Sequence, residues 1–295
     1  MRTILLTGKN GQVGWELQRT LAPLGRVVAL DAEDLDLADA QAIRRKVSEV
    51  QPHIIVNPAA YTAVDKAESE PELAMAINGI APGVFAEEAR ALNALLVHYS
   101  TDYVFDGRKD GAYAEDDAPN PLGVYGRTKL AGEEAVRAAG CRHLILRTSW
   151  VYGARGKNFL LTMLKLAKER SELRIVDDQI GAPTWSRTLG EITAQILAQL
   201  HAPGRAPSEL ERLYGTYHLT SGGAVSWYGF TAEILRQANV QPAPALYPIP
   251  TREYPTPAAR PANSRLSNDK LQNAFGLSGG DWQENLRLCL QEAAR

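Results

Sequence analysis

Short runs of almost unbroken apolar residues recur through the first half of the chain. They are "TILLT" at 3–7, "VVALD" at 27–31, "HIIVN" at 53–57, "LLVHYS" at 95–100 and "HLILRTS" at 143–149. Between them, apolar positions fall three or four apart, as in "VGWELQRTLAPL" and "DAQAIRRKVSEV", the second with Asp39 placed to cap a helix. A strand that is apolar on both faces must be covered on both faces. The alternation therefore predicts a parallel sheet between two layers of helices, and right-handed crossovers make it a doubly wound α/β fold.

After residue 150 the rhythm loosens. "FLLTMLKLAKE", "TLGEITAQILAQL", "WYGFTAEILRQA" and "DWQENLRLCLQEAA" predict amphipathic helices, and "LRIVDD" a strand. The polar "HAPGRAPSELER" at 201–212 reads as an exposed loop. Prolines at 248, 250, 255, 257 and 261 predict an extended segment without regular structure. Two units follow. Residues 1–150 form the sheet, to which the helix near 188–200 returns, and 151–295 form mainly a smaller substrate-binding domain, with a cleft at the sheet's carboxyl edge.

The totals narrow the function. A net charge of −2 leaves no footprint for nucleic acid, and no apolar stretch is long enough to span a bilayer. Cys141 and Cys289 lie far apart, outside any CxxC pair, which fits a reducing cytoplasm. Five scattered histidines include no HExxH.

"TGKNGQVG" follows the first strand and opens the first helix, with Gly8, Gly11 and Gly14 at a GxxGxxG spacing. Gly8 permits the tight turn, Gly11 lets the backbone approach a pyrophosphate, and Gly14 allows close packing of helix on strand. The helix start adds free N–H groups and partial positive charge. In that context the loop predicts a Rossmann-like dinucleotide site. Asp31, about 20 residues on, falls where an acid binds the adenosine ribose and disfavours a 2′-phosphate, and Asp36 in "DLDL" falls near the adenine.

"HYSTDYVFDG" places Thr101 and Asp102 at the end of the fourth strand, and "YGRTK" places Tyr125 one helical turn ahead of Lys129. A free phenol has a pKa near 10 and gives up its proton reluctantly. A nearby ammonium stabilises the phenolate and is expected to lower that pKa. Tyr125 would then protonate a carbonyl oxygen as hydride arrives at its carbon, with Thr101 polarising the same oxygen and Lys129 holding the nicotinamide ribose.

In "TGKNGQVG", "NPAAYTAVDKAE", "YSTDYVF" and "YGRTK" the chain resembles the extended short-chain dehydrogenase/reductase family. Within it, "GQVGWELQ", "AYTAVDKAESEPELA", "HYSTDYVFDG", "YGRTKLAGE", "RTSWVYG", "DQIGAPT" and "RPANSRL" are similar to the dTDP-4-dehydrorhamnose reductases, from end to end. The resemblance implies reduction of the 4-keto group of dTDP-4-dehydrorhamnose by NADPH or NADH, giving dTDP-L-rhamnose. It makes Tyr125, Lys129 and Thr101 catalytic, and puts Gly11, Gln12, Val13, Asp31, Asp36, Leu37, Ala60, Tyr61, Thr62 and Tyr99 on the cofactor side. Asp102 and Trp150 fall on the substrate side. Arg260, Asn263 and Arg265, beside "YPTPA", suit the phosphates and nucleotide of the substrate.

Some members hold magnesium between two subunits. Glu16 and Glu292 match acids of that set, whereas Arg187 stands near the position of another, which puts Mg2+ and the homodimer built on it in question. Three rivals share the resemblance. A dehydratase commonly carries Asp-Glu after the threonine, where this chain has Asp102 and Tyr103; an epimerase would recycle its cofactor; a regulatory subunit of the kind that serves methionine adenosyltransferase would need no Tyr125, Lys129 and Thr101 together.

Overall fold

In the computed structural model, which describes residues 1–293 with the exception of 205, the first half alternates as its pattern predicts. β1 (Thr3–Leu6) leads into α1 (Gln12–Thr20), which ends in a 3-10 turn at Ala22–Leu24, where Pro23 stands at the start. β2 (Arg26–Ala29) and α2 (Ala40–Val50) follow, and Asp39 caps α2 by accepting the N–H groups of Gln41 and Ala42 at 2.8 and 3.0 Å. β3 (Ile54–Asn57) is joined to β4 (Leu95–Thr101) by α3 (Val64–Ala67), α4 (Pro71–Met75), a π turn (Ala76–Ile80) and α5 (Ala81–Ala91). α6 (Val124–Ala139) and β5 (Arg142–Thr148) complete this half.

The second half is built from shorter pieces. β6 (Val151–Tyr152), α7 (Phe159–Glu169), β7 (Glu172–Val176), β8 (Ile180–Gly181) and β9 (Thr184–Trp185) precede α8 (Ser186–Leu200). The stretch read as a loop at 201–212 contains a helical turn, α9 (Pro207–Glu211), begun by Pro207; Arg205 in it lies outside the described residues. Then come β10 (Gly215–His218), β11 (Val225–Ser226), α10 (Trp227–Gln237), β12 (Ala245–Ile249), β13 (Asn263–Ser264), α11 (Asp269–Phe275) and α12 (Trp282–Ala293). Ala294, in the last predicted helix, lies outside the described residues. The proline-rich segment departs from expectation, because Pro248 lies within β12, opposite Ile175 of β7. A two-stranded sheet is all edge, so a residue without an N–H is tolerated there.

The central sheet runs β10-β5-β4-β3-β1-β2, all parallel. The sequence reading leaves residues 215–218 with the second unit, whereas the structure makes them the sheet's edge strand. One face is covered by α1 and α8, through Leu17, Leu21, Leu189, Ile192 and Ile196. The other is covered by α2 and α5, through Ile43, Val47, Val84 and Phe85. A separate core of Tyr152, Leu160, Trp185, Phe230, Ile234, Trp282 and Leu286 holds the later elements. Among the described residues no helix is long and apolar enough to cross a membrane.

Candidate active site

A cavity of about 520 Å³ opens at the carboxyl edge of the sheet, where strand order reverses between β1 and β3. Gly8 turns the chain there with φ +61°, and a Cβ on Gly14 would lie 1.9 Å from the Gly8 carbonyl oxygen. α1 therefore descends on the loop more closely than any side chain permits. Its first residue follows Gly11 with no side-chain cap and no acid in the first turn. The N–H groups of Gln12, Val13 and Gly14 have no intrahelical acceptor, and the helix's positive end faces the cavity. These features fit a dinucleotide's pyrophosphate.

Gly8, Gly11, Gln12, Val13, Asp31, Asp36, Leu37, Ala60, Thr62, Tyr99, Tyr125 and Lys129 all line this space. Tyr61 does not. Its hydroxyl donates to Glu70 at 2.6 Å, and its backbone is clamped from both sides by Asn78, at 2.8 and 3.0 Å. Tyr61 thus holds the Ala60–Thr62 backbone in place. Asp31 accepts the N–H of Asn10 at 3.0 Å and of Ala32 at 2.8 Å, and Lys9 is bound beside it to Asp34 at 2.6 Å. Asp36 accepts the N–H of Ala38 at 2.8 Å while lining the cavity. Sequence reasoning missed Gly156 and Lys157, which close over the glycine loop from beyond β6. Asn158 ties that segment down by donating to Gln12 at 3.0 Å, and Arg155 stacks on Trp15. The basic, glycine-containing "GARGK" was the signal available.

Tyr125 and Lys129 occupy the first turns of α6, and three contacts fix that helix. Gly123 has no side chain to cap it, so Glu68 of "VDKAE" accepts the Val124 N–H at 2.8 Å. Gly126 lets α6 touch the turn after β4, since a Cβ there would sit 2.2 Å from the Tyr103 carbonyl oxygen. Farther along, buried Glu133 grips buried Arg147 of β5 through two bonds of 2.8 and 2.7 Å.

Lys129 is 2% exposed, and its Nζ donates to the Tyr99 carbonyl at 2.6 Å. Burial pushes its pKa down to about 8, against the opposing charge of Glu133. For Tyr125, burial and then the charge of Asp102 push the phenol up to about 12, with the nearby Thr101 hydroxyl acting the other way. The expectation that Lys129 makes this phenol more acidic is not met, because the ammonium is turned to Tyr99 and the dominant influences favour the neutral phenol. The outcome is an acid kept loaded at neutral pH.

Thr101 lies under this group, its Oγ1 donating to Asp102 at 3.0 Å and accepting the Tyr103 N–H at 3.2 Å. Burial lifts the Asp102 carboxyl to about 6. The Tyr103 ring stands edge-on to Tyr125, centroids 5.5 Å apart.

The substrate-side residues are engaged with one another. Arg260 donates to Asp65 at 2.9 Å, and its charge reaches Tyr103. Asn263 spends both amide protons on the carbonyls of Lys109 and Gly111, at 2.8 and 2.7 Å, while its oxygen accepts from Arg265. It ties a loop. Trp150, at φ +48°, stacks on Trp227 with centroids 3.5 Å apart and lies flat over Gly181, away from the cavity. A bulky residue at positive φ is strained, which the stacking must hold.

Glu16 and Glu292 do not converge on a metal position. Arg187 stands between them, donating to Glu16 at 3.2 Å and to Glu292 at 2.8 Å. A guanidinium placed there repels a divalent cation, and no cluster of three His, Cys, Asp or Glu able to hold one occurs among the described residues. Within one chain these residues do not make a magnesium site.

The whole chain, residues 1–295, matches the family model described as the RmlD substrate binding domain. It is 48% identical to the dTDP-4-dehydrorhamnose reductase of Burkholderia thailandensis over 295 residues, 98% of each chain. Among solved structures it is similar to the dTDP-4-dehydrorhamnose reductase of Clostridium acetobutylicum, with TM-score 0.91, 37% identity and coverage of 99% and 100%. The Bacillus anthracis dTDP-4-dehydrorhamnose reductase, solved in complex with NADP, gives TM-score 0.90, 37% identity and 99% of both chains.

Proposed function

Because the chain belongs to the dTDP-4-dehydrorhamnose reductase family, we propose that it reduces the 4-keto group of dTDP-4-dehydrorhamnose to give dTDP-L-rhamnose, with NADPH or NADH as reductant. One observation carries this reading: the glycine cradle, the half-buried Tyr125 and the buried Lys129 line a single cavity. The nicotinamide cofactor supplies the hydride when bound, NADP being the form held by the Bacillus anthracis relative. Asp31 need not exclude the 2′-phosphate, since backbone N–H groups occupy its oxygens and Lys9 offsets its charge.

Tyr125 gives its proton to the ketone oxygen, and Thr101 turns its hydroxyl from Asp102 to the same oxygen. Lys129 binds the ribose. Arg260, released from Asp65, meets the substrate's phosphates, with Arg265 beside it. Residues 1–150, with α8 and β10, serve the cofactor, and most of 151–295 serves the nucleotide sugar. We place the protein in the cytoplasm, in keeping with two buried free cysteines, as a homodimer.

The test is cofactor oxidation on mixing with the keto-sugar nucleotide. One equivalent oxidised per sugar reduced is expected. Cofactor recycled with an isomerised sugar would mean an epimerase, and binding without turnover a regulatory subunit.

A further inference from the structure

His98 is fully buried on β4, beside the catalytic lysine, and nothing in the reaction above uses it. Its neighbours form a row across three adjacent strands. β3 pairs with β4 so that Asn57 lies opposite His98, and Thr7, just past β1, donates from its backbone to Val56 next to Asn57. Strands covered on both faces are ordinarily apolar throughout. Here the final turn of three strands is polar, buried and continuous: Thr7 Oγ1 to Asn57 Oδ1 at 2.6 Å, Asn57 Nδ2 to His98 Nδ1 at 3.3 Å, and His98 Nε2 to Lys129 Nζ at 3.4 Å.

The row has a direction. Thr7 Oγ1 accepts from the Ala59 N–H at 3.4 Å, so its own proton goes to the Asn57 oxygen. That turns the Asn57 amide protons toward Nδ1, which must accept, and leaves the imidazole proton on Nε2, facing Lys129. An N–H aimed at an ammonium is repelled, whereas aimed at a neutral amine it forms a hydrogen bond. We infer that His98, its tautomer locked by Asn57 and Thr7, is a positioning residue that holds Lys129 at the boundary between ammonium and amine. This rests on the reading of Lys129 as the partner of Tyr125.

The surroundings agree. Burial and the Lys129 charge keep His98 well below its ordinary pKa, hence neutral. Along α6, Tyr125 lies one turn before Lys129 and Glu133 one turn after, the latter neutralised by Arg147 of β5 and by Arg137. Asp102, in the turn after β4, acts on Tyr125 and Tyr103. The π turn brings no charged residue, and the buried side of α5 is apolar. On α3, Asp65 and Lys66 are paired with Arg260 and Glu70. Glu133 favours the ammonium and His98 opposes it.

The test is an NMR titration of the full chain labelled at lysine Cε, without cofactor or substrate, with Lys129 assigned by its loss in Lys129→Met. His98→Leu keeps the burial and removes the facing N–H, so the Lys129 midpoint should rise by about 0.5–1 pH unit. Thr7→Val unlocks the Asn57 amide and should raise it by less; it carries the test if His98→Leu does not fold. A midpoint unmoved or lowered in the folded variants would overturn the inference, a lowering showing that His98 accepts from the ammonium instead. The readout needs no turnover, so it stands apart from failure of the reductase reading. In turnover, the alkaline limb of kcat/KM should move with the midpoint, whereas mere loosening of the fold would lower the rate at every pH.

Discussion

The cofactor side and the substrate side of the cleft are prepared in different ways. On the cofactor side the binding groups are open: an uncapped helix start, a glycine loop whose close approach to α1 leaves no room for a Cβ on Gly14, and a cavity beside them. On the substrate side the polar groups already hold one another, Arg260 on Asp65 and Asn263 on two loop carbonyls. A dinucleotide can therefore settle into a formed cradle. On the function proposed above, a nucleotide sugar displaces such contacts before it gains its own, and a partly exposed pair such as Arg260–Asp65 is worth little and is readily exchanged.

The sharpest way to break this contrast is to remove the acid between the two sides. Tyr125→Phe should lower kcat about 10²–10⁴-fold while leaving the NADPH Kd nearly unchanged, read by steady-state kinetics and by fluorescence titration. Normal turnover would mean that another group, or water, is the donor.

Asp102 lies at the seam. Its folded pKa, raised from 3.8 to about 6 by burial, makes the charged form costly, so its contribution is fully present below pH 3.8 and lost as pH rises through 6. Asp102→Asn should therefore raise stability by about 3 kcal/mol at pH 8 and leave it unchanged at pH 3. Denaturant unfolding at the two pH values checks this, and equal curves at pH 8 would show that the carboxylate is solvated.

On the substrate side, Arg260→Ala should raise the KM for the nucleotide sugar about tenfold with kcat little changed, whereas Asp65→Ala should lower it or leave it alone. If both raise it equally, the pair is a fixed strut and the contrast fails. The smallest effect belongs to Lys9. Lys9→Ala should weaken NADPH about two- to fivefold and leave NADH unaffected, because only NADPH brings a phosphate to that end of the cavity. Isothermal titration with both cofactors measures the ratio.

Legibility in the sequence followed the same division. Five of the six central strands were readable as apolar runs because burial on both faces leaves no other composition. The sixth, Gly215–His218, could not be recognised as a partner of β5, since pairing across some 70 residues leaves no local trace. β12 was hidden by Pro248, which a strand tolerates at a sheet edge, and both strands of this sheet are edges. Tyr61 and Asn263, named as ligands from their motifs, also hold backbone segments in place. A motif records that a residue type is required at a position, and a buried tie requires it as strictly as a ligand does. Gly156 and Lys157 were passed over because a loop's composition does not say which surface it closes upon.

Order along the chain therefore determined the strands, the helix caps, the glycine turn and the one-turn spacing of phenol and amine, all of which depend on neighbours within a few residues. Tertiary structure decided the charge states. Whether Tyr125 is held neutral, whether Lys129 sits near its titration point, and whether Arg187 bars a metal all depend on groups brought together from distant segments. Electrostatic energies are set by burial and separation in space, and neither is written in the spacing of letters.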